Sequence, residues 1–135
     1  MSRELIQLKI RKPLLSVAVV LFLLCAAGFS YLAVTWYAGN TLAENFVGDE
    51  RDLDVGRFAT TLAPKDPLTH WRLGLMSEAA DPVTGSAEAI PEYEKAVSLS
   101  PNDYRFWIAL GMAQERAGDP AKGEHAMRKA ISLAP

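Results

Sequence analysis

The chain has 135 residues, 50% of them hydrophobic and 22% charged, which is room for one small domain and one further element. The formal charge of −2 hides an asymmetry: residues 1–12 carry Arg3, Lys9, Arg11 and Lys12 against Glu4, whereas residues 38–135 carry ten Lys/Arg against fifteen Asp/Glu. A body with that acidic excess lacks the basic stripe of a nucleic-acid binder, and the lone Cys25 permits no intramolecular disulfide and leaves the compartment unread.

Residues 14–37 contain no charge over 24 positions. As a helix rising about 1.5 Å per residue they span roughly 36 Å, enough to cross a hydrocarbon core of about 30 Å with some tilt. Pro13 suits a first-turn position, and Trp36 and Tyr37 fall at the far end, where amphipathic rings favour the interface. A transmembrane helix is therefore expected over 13–37, after a basic tail over 1–12. Lys9, Arg11 and Lys12 precede the span, and only Arg51 and Arg57 follow within twenty residues. The positive-inside rule then puts the N-terminus in the cytoplasm and the rest on the extracytoplasmic side. A cleaved signal peptide fits less well, because its apolar core runs about 7–15 residues and no Ala-x-Ala closes this one. Leu24 before Cys25 does not make a lipoprotein cleavage site, and a buried soluble helix rarely runs this far without a charge. Ala26, Ala27 and Gly28 form a small-residue patch that could accept a neighbouring helix, although plain lipid-facing filler accounts for it as well.

Residues 38–64 read as a helical linker or half-repeat. Gly39-Asn40-Thr41 is expected to mark the membrane exit, and Leu42, Phe46, Leu53, Phe58 and Leu62 are spaced for one or two helices, interrupted near Gly48-Asp49. The ending Leu62-Ala63-Pro64 recurs as Leu99-Ser100-Pro101 and Leu133-Ala134-Pro135. Each proline should stop the preceding helix by disfavouring helical geometry in the residue before it.

Counting forward from Pro64 and from Pro101 brings a Leu-Gly pair at the same distance: Leu73-Gly74 and Leu110-Gly111. Further on, Ala89, Tyr93, Ala96 and Pro101 in one unit stand where Gly123, Met127, Ala130 and Pro135 stand in the other. The first unit carries three extra residues somewhere in 81–86, a surface-loop insertion. Two helix-turn-helix units of this length, about 65–100 and 101–135, resemble tetratricopeptide repeats. The resemblance covers about residues 65–135, with 50–64 as a candidate preceding half-repeat. Trp107 occupies the family's aromatic slot near the start of the first helix, but in the first unit His70 takes it and Trp71 is one position off. The bulky residue usual three positions after the glycine is replaced by Ser77 and Gln114.

The expected fold is all-α: one N-terminal transmembrane helix followed by repeats stacked as an α-solenoid. The resemblance implies a concave face lined by Leu68, Trp71, Leu75 and Glu78, then Arg105, Ile108, Met112 and Glu115. Trp71, Leu75, Ile108 and Met112 would form an apolar floor, with Arg105, Glu78 and Glu115 at the edges. The Lys and Asn set with which the family clamps a C-terminal carboxylate is missing. Two plainer arrangements compete with a peptide groove: residues 42–62 folded back over the floor, or Trp71 as simple core.

Enzyme signatures are missing, including Gly-x-Ser-x-Gly, the phosphate-binding Gly-rich loop and His-Glu-x-x-His. His70 and His125 lie in different repeats and make a poor metal set, so each is expected as a surface or partly packed residue. Glu92/Glu94 and Asp49/Glu50 read as solvated faces, and Glu92–Lys95 and Glu124–Arg128 as helical ion pairs. No enzyme activity, cofactor or metal is expected. The expected function is a membrane-anchored interaction module in the cell membrane, holding a protein partner on the extracytoplasmic side (periplasmic in a bacterium). The competing expectation is a small single-pass accessory subunit of a larger integral-membrane complex. Finally, Met127, Ala130 and Ile131 leave an apolar outer edge, and a solenoid edge needs a neighbour. A second copy, a partner subunit, residues 42–62 or a continuation of the chain should cover it, a partner or a continuation being favoured.

Overall fold

The computed structural model describes residues 12–45, 50–81 and 83–135. The basic residues Arg3, Lys9 and Arg11, Phe46 and the Gly48-Asp49 interruption lie outside the described residues. All helices named here are α: α1 (Lys12–Asn45), α2 (Glu50–Leu62), α3 (Pro67–Ala80), α4 (Gly85–Leu99), α5 (Tyr104–Arg116) and α6 (Pro120–Leu133). The contacts divide the chain into two units, Met1–Val34 and Thr35–Pro135.

In the first unit every side chain from Leu15 to Val34 is exposed. Apolar residues on all sides of the helix stand open, from Val19 at 49% to Phe29 at 76%. The stretch Leu15–Leu42 is long and apolar enough to cross a membrane, with a mean hydropathy of 2.5.

The second unit opens with the last turns of α1. Gly39-Asn40-Thr41 does not interrupt the helix, which runs on to Asn45. The reason is packing. A Cβ at Gly39 would lie 2.9 Å from the Ala59 carbonyl oxygen and 3.0 Å from the Ala63 Cβ, so the glycine allows α2 to approach closely. Arg72 of α3 adds a hydrogen bond of 3.0 Å to the Asn40 side-chain oxygen. On its other side α2 meets α3 through Gly56, against Leu73 and Met76. It thus stands on α3 as α4 stands on α5, and does not lie over the floor residues Leu75, Ile108 and Met112.

Helix ends follow the local chemistry. Asp66, Asp103 and Asp119 cap α3, α5 and α6, each carboxylate accepting a backbone N–H from the first turn: Leu68, Arg105 and Lys122. Pro67 and Pro120 occupy first-turn positions, where no N–H is required. Helices α2, α4 and α6 all stop on the leucine of a Leu-small-Pro ending. The three extra residues of the first unit are shared out. Helix α3 has 14 residues against 13 in α5, α4 has 15 against 14 in α6, and the connection holds one more.

The core lies where the two hairpins meet. Tyr93 and Phe106 are buried with Ala89, Ala96, Val97, Leu110, Ala113 and Ala126, and Leu68, Trp71 and Trp107 pack against this cluster. Burying a phenyl ring contributes about 1.5–3 kcal/mol. Within each hairpin the Leu-Gly pair sets the spacing: the Tyr93 ring lies over Gly74, and a Cβ at Gly111 would meet the Gly123 carbonyl oxygen at 3.0 Å and the Met127 Cγ at 3.1 Å.

Candidate partner-binding groove

Residues four apart on a helix share one face. Trp71 and Leu75 on α3, and Ile108 and Met112 on α5, therefore make two parallel apolar rows. Between them lies a groove of ≈230 Å³, completed by Glu78, Tyr93, Arg105, Ala109 and Arg116. Leu75, Ile108 and Met112 remain 38%, 36% and 39% exposed, so their side chains are open to a ligand. Trp71 is both wall and support. Its ring packs on Phe106 at 6.0 Å with 50° between the planes, and its buried Nε1–H has no hydrogen-bond partner.

Of the eight positions expected on the concave face, the groove brings together Trp71, Leu75, Glu78, Arg105, Ile108 and Met112. Leu68 instead packs part-buried against the core cluster. Glu115 is exposed on α5 beside Gly123 of α6 and does not line the groove.

The polar residues at the rim are tied into the fold. The Glu78 carboxylate accepts three hydrogen bonds: from Ser86 at 3.0 Å, from the Tyr93 hydroxyl at 3.0 Å and from Arg116 at 2.8 Å. It thereby joins α3, α4 and α5. Burial and the adjacent carboxylate push the Tyr93 phenol well above its ordinary pKa, so it remains a neutral donor. Arg105 is held by the Asp103 carboxylate through contacts of 3.0 and 2.6 Å. Those bonds keep Asp103 below the usual carboxylate range. The Arg105 and Arg116 side chains are nevertheless 56% and 50% exposed, leaving guanidinium edges open at the mouth. An apolar floor between two such edges suits a segment that offers apolar side chains with acceptors beside them.

Tyr93, Ala109 and Arg116 escaped the sequence reading. Tyr93 comes from a second helix and enters through the gap over Gly74, and Arg116 sits on the last turn of α5. The available signal was the exchange of a bulky tyrosine against glycine within one hairpin.

His70 is more deeply placed than a surface histidine. Its Nδ1 lies 2.7 Å from a Glu92 oxygen and its Nε2 3.2 Å from the Pro64 carbonyl oxygen. The hydrogen bond to Glu92 raises its pKa above 6.5, although burial opposes this. Glu92 therefore braces α3 from α4 and does not simply line a solvated face. The expected Glu124–Arg128 pair is present at 2.6 Å, and His125 is exposed.

Compared with known families, residues 104–135 match the model described as tetratricopeptide repeat. No curated protein matches the chain.

Proposed function

Residues 104–135 are a tetratricopeptide repeat, an interaction unit, and on that premise we propose that the chain is a membrane-anchored, non-enzymatic interaction module whose groove between α3 and α5 takes a segment of a partner protein. Helix α1 is the anchor. The basic residues before it set the N-terminus in the cytoplasm and the helical stack on the extracytoplasmic side, where the chain serves as scaffold or assembly factor. One observation carries this reading: Leu75, Ile108 and Met112 stay open, with α2 packed on Leu73 and Met76 and leaving them uncovered.

The test is capture of partners by the full chain against a Leu75→Glu/Met112→Glu variant, after covalent cross-linking in membranes. Loss of a specific set of cross-linked proteins with an unchanged helical spectrum is the expected result. An identical set would overturn the groove assignment.

A second reading, an accessory subunit of an integral-membrane complex, is favoured by the apolar side chains exposed all around Leu15–Val34. Replacing the span by an unrelated anchor separates the two. Retained partner capture supports the soluble groove; lost capture supports the helix as the contact.

A further inference from the structure

A hollow of ≈340 Å³ lies between α5 and α6 and shares no lining residue with the groove. Trp107, Leu110, Ala121 and Ala126 give it apolar walls, and Gln114 stands among them. Gln114 is 6% exposed, and its buried side-chain oxygen has no hydrogen-bond partner among the described residues. The Trp107 indole N–H donates to the Pro101 carbonyl oxygen at 2.8 Å, which fixes the ring as one wall.

The first hairpin fills the same place from within. Shifting back by 37 residues in the first helix carries Trp107 to His70, and shifting back by 34 in the second carries Ala126 to Glu92. His70 faces the Pro64 carbonyl oxygen at 3.2 Å, as Trp107 faces that of Pro101, and its other ring nitrogen meets the Glu92 carboxylate at 2.7 Å. Ala126 is too short to take the part of Glu92, and the space stays open. The stacking of hairpins does not use it. Helix α5 seats on the first hairpin through Trp71, Tyr93, Ala96 and Val97. The same shifts carry these to Ile108, Met127, Ala130 and Ile131, and none of them lines the hollow.

We propose that this hollow is a binding site for a phenol, a planar aromatic ring carrying one hydroxyl group. The walls suit a flat ring packed against the indole. The space, well above the cavity of about 150 Å³ that holds benzene, admits a substituted ring. A hydroxyl both donates and accepts, so it completes the Gln114 amide whichever way that amide is turned. It thereby removes the cost of a buried polar atom without a partner. The rim does not select an ion: the Lys122 ammonium is held by Asp119 at 2.9 Å, and Asp119 and then Glu94 of α4 favour its charged form. Its charge is already met, and a neutral ligand is the better fit.

The probes are para-hydroxyphenylacetamide and phenylacetamide, both neutral near pH 7 and differing only in the hydroxyl. They are added to the isotope-labelled full chain in detergent micelles. Saturable NMR shifts of the Gln114 side-chain amide and the Trp107 indole N–H are expected, the phenol binding roughly tenfold tighter than phenylacetamide. That preference should vanish in Gln114→Leu. Ala121→Phe, a change at an exposed residue that crowds the hollow, should weaken both probes, with circular dichroism checking that the variants remain folded. N-acetyltyrosinamide identifies the source. The same shifts admit a tyrosine side chain of a partner protein, their absence assigns the site to a free phenol, and either supports the site. No saturable shift at the two groups, equal affinity of the two probes for the wild-type chain, a hydroxyl preference that survives Gln114→Leu, or binding indifferent to Ala121→Phe would overturn the proposal.

Discussion

The ring of Phe106 rests 6.0 Å from the indole of Trp71, tilted by 50°, so the most buried aromatic of α5 is held by a residue that also walls the groove. Cohesion between the hairpins and the shape of the binding floor therefore share this contact. Aromatic pairs of this tilted kind add about 0.5–1.5 kcal/mol beyond the area they bury. Arg116 on Glu78 ties the same two helices further along, which fixes the distance between the rows Trp71/Leu75 and Ile108/Met112.

Phe106→Ala should destabilise the second unit by about 3–5 kcal/mol, the range for truncating a buried aromatic. Urea unfolding of the full chain in micelles, followed by circular dichroism, measures this. The loss should exceed that for Tyr104→Ala, because Tyr104 is 37% exposed.

Two leucine substitutions three positions apart on α5 should behave oppositely. Gly111→Leu must place a side chain where Gly123 and Met127 already stand, and overpacking of this kind costs about 1–3 kcal/mol. Gln114→Leu removes a buried side-chain oxygen that has no hydrogen-bond partner. It also places bulk beside an adjacent hollow of ≈340 Å³, so stability should hold or rise. Equal melting temperatures for the two variants would show that the register of the hairpin is misassigned.

What could be read from the residues alone was whatever has a short period. Leu-small-Pro marks where α2, α4 and α6 stop, and the paired Leu-Gly positions carry the resemblance that implies Trp71, Leu75, Ile108 and Met112 on one face, where the groove lies. Contacts between residues far apart in sequence stayed hidden. Gly39-Asn40-Thr41 has low helix propensity, and only the approach of Ala59 and Ala63 shows what the glycine does in a helix that runs on to Asn45. Glu78 looked like a rim charge, but its three donors come from residues 8, 15 and 38 positions away. The His70–Glu92 contact spans 22 positions and leaves no local signature.

That contact should make stability depend on pH. The imidazolium can donate to Glu92 and to the Pro64 carbonyl at once, whereas neutral imidazole has only one N–H to give. Its folded pKa is raised above 6.5, so folding binds the proton more tightly. The stabilisation is present in full below the unfolded value of about 6.5 and is lost as pH rises through the higher folded value. Unfolding midpoints should therefore fall between pH 6 and pH 8.5, and His70→Gln should remove most of that slope. A wild-type slope that persists in the variant would assign the effect to other groups.

Binding and folding should separate within the groove itself, because its residues divide by what they touch. Met112 is 39% exposed and, in the groove, offers its side chain to solvent. Met112→Glu should change stability by less than about 1 kcal/mol while abolishing cross-linked partner capture, since a carboxylate on the floor must be desolvated by any apolar ligand. Glu78→Ala should do the reverse in origin. It leaves the buried Tyr93 hydroxyl, Ser86 and Arg116 without their shared acceptor, and an orphaned buried polar group costs about 1–3 kcal/mol. Its binding defect should then follow the loss of folded protein, and lowering the temperature until the variant is fully folded should restore most of the capture. Cooling should not rescue Met112→Glu. Capture by Met112→Glu at the wild-type level would remove the groove as the site, whereas a Glu78→Ala defect that survives at low temperature would make that carboxylate a direct contact of the partner.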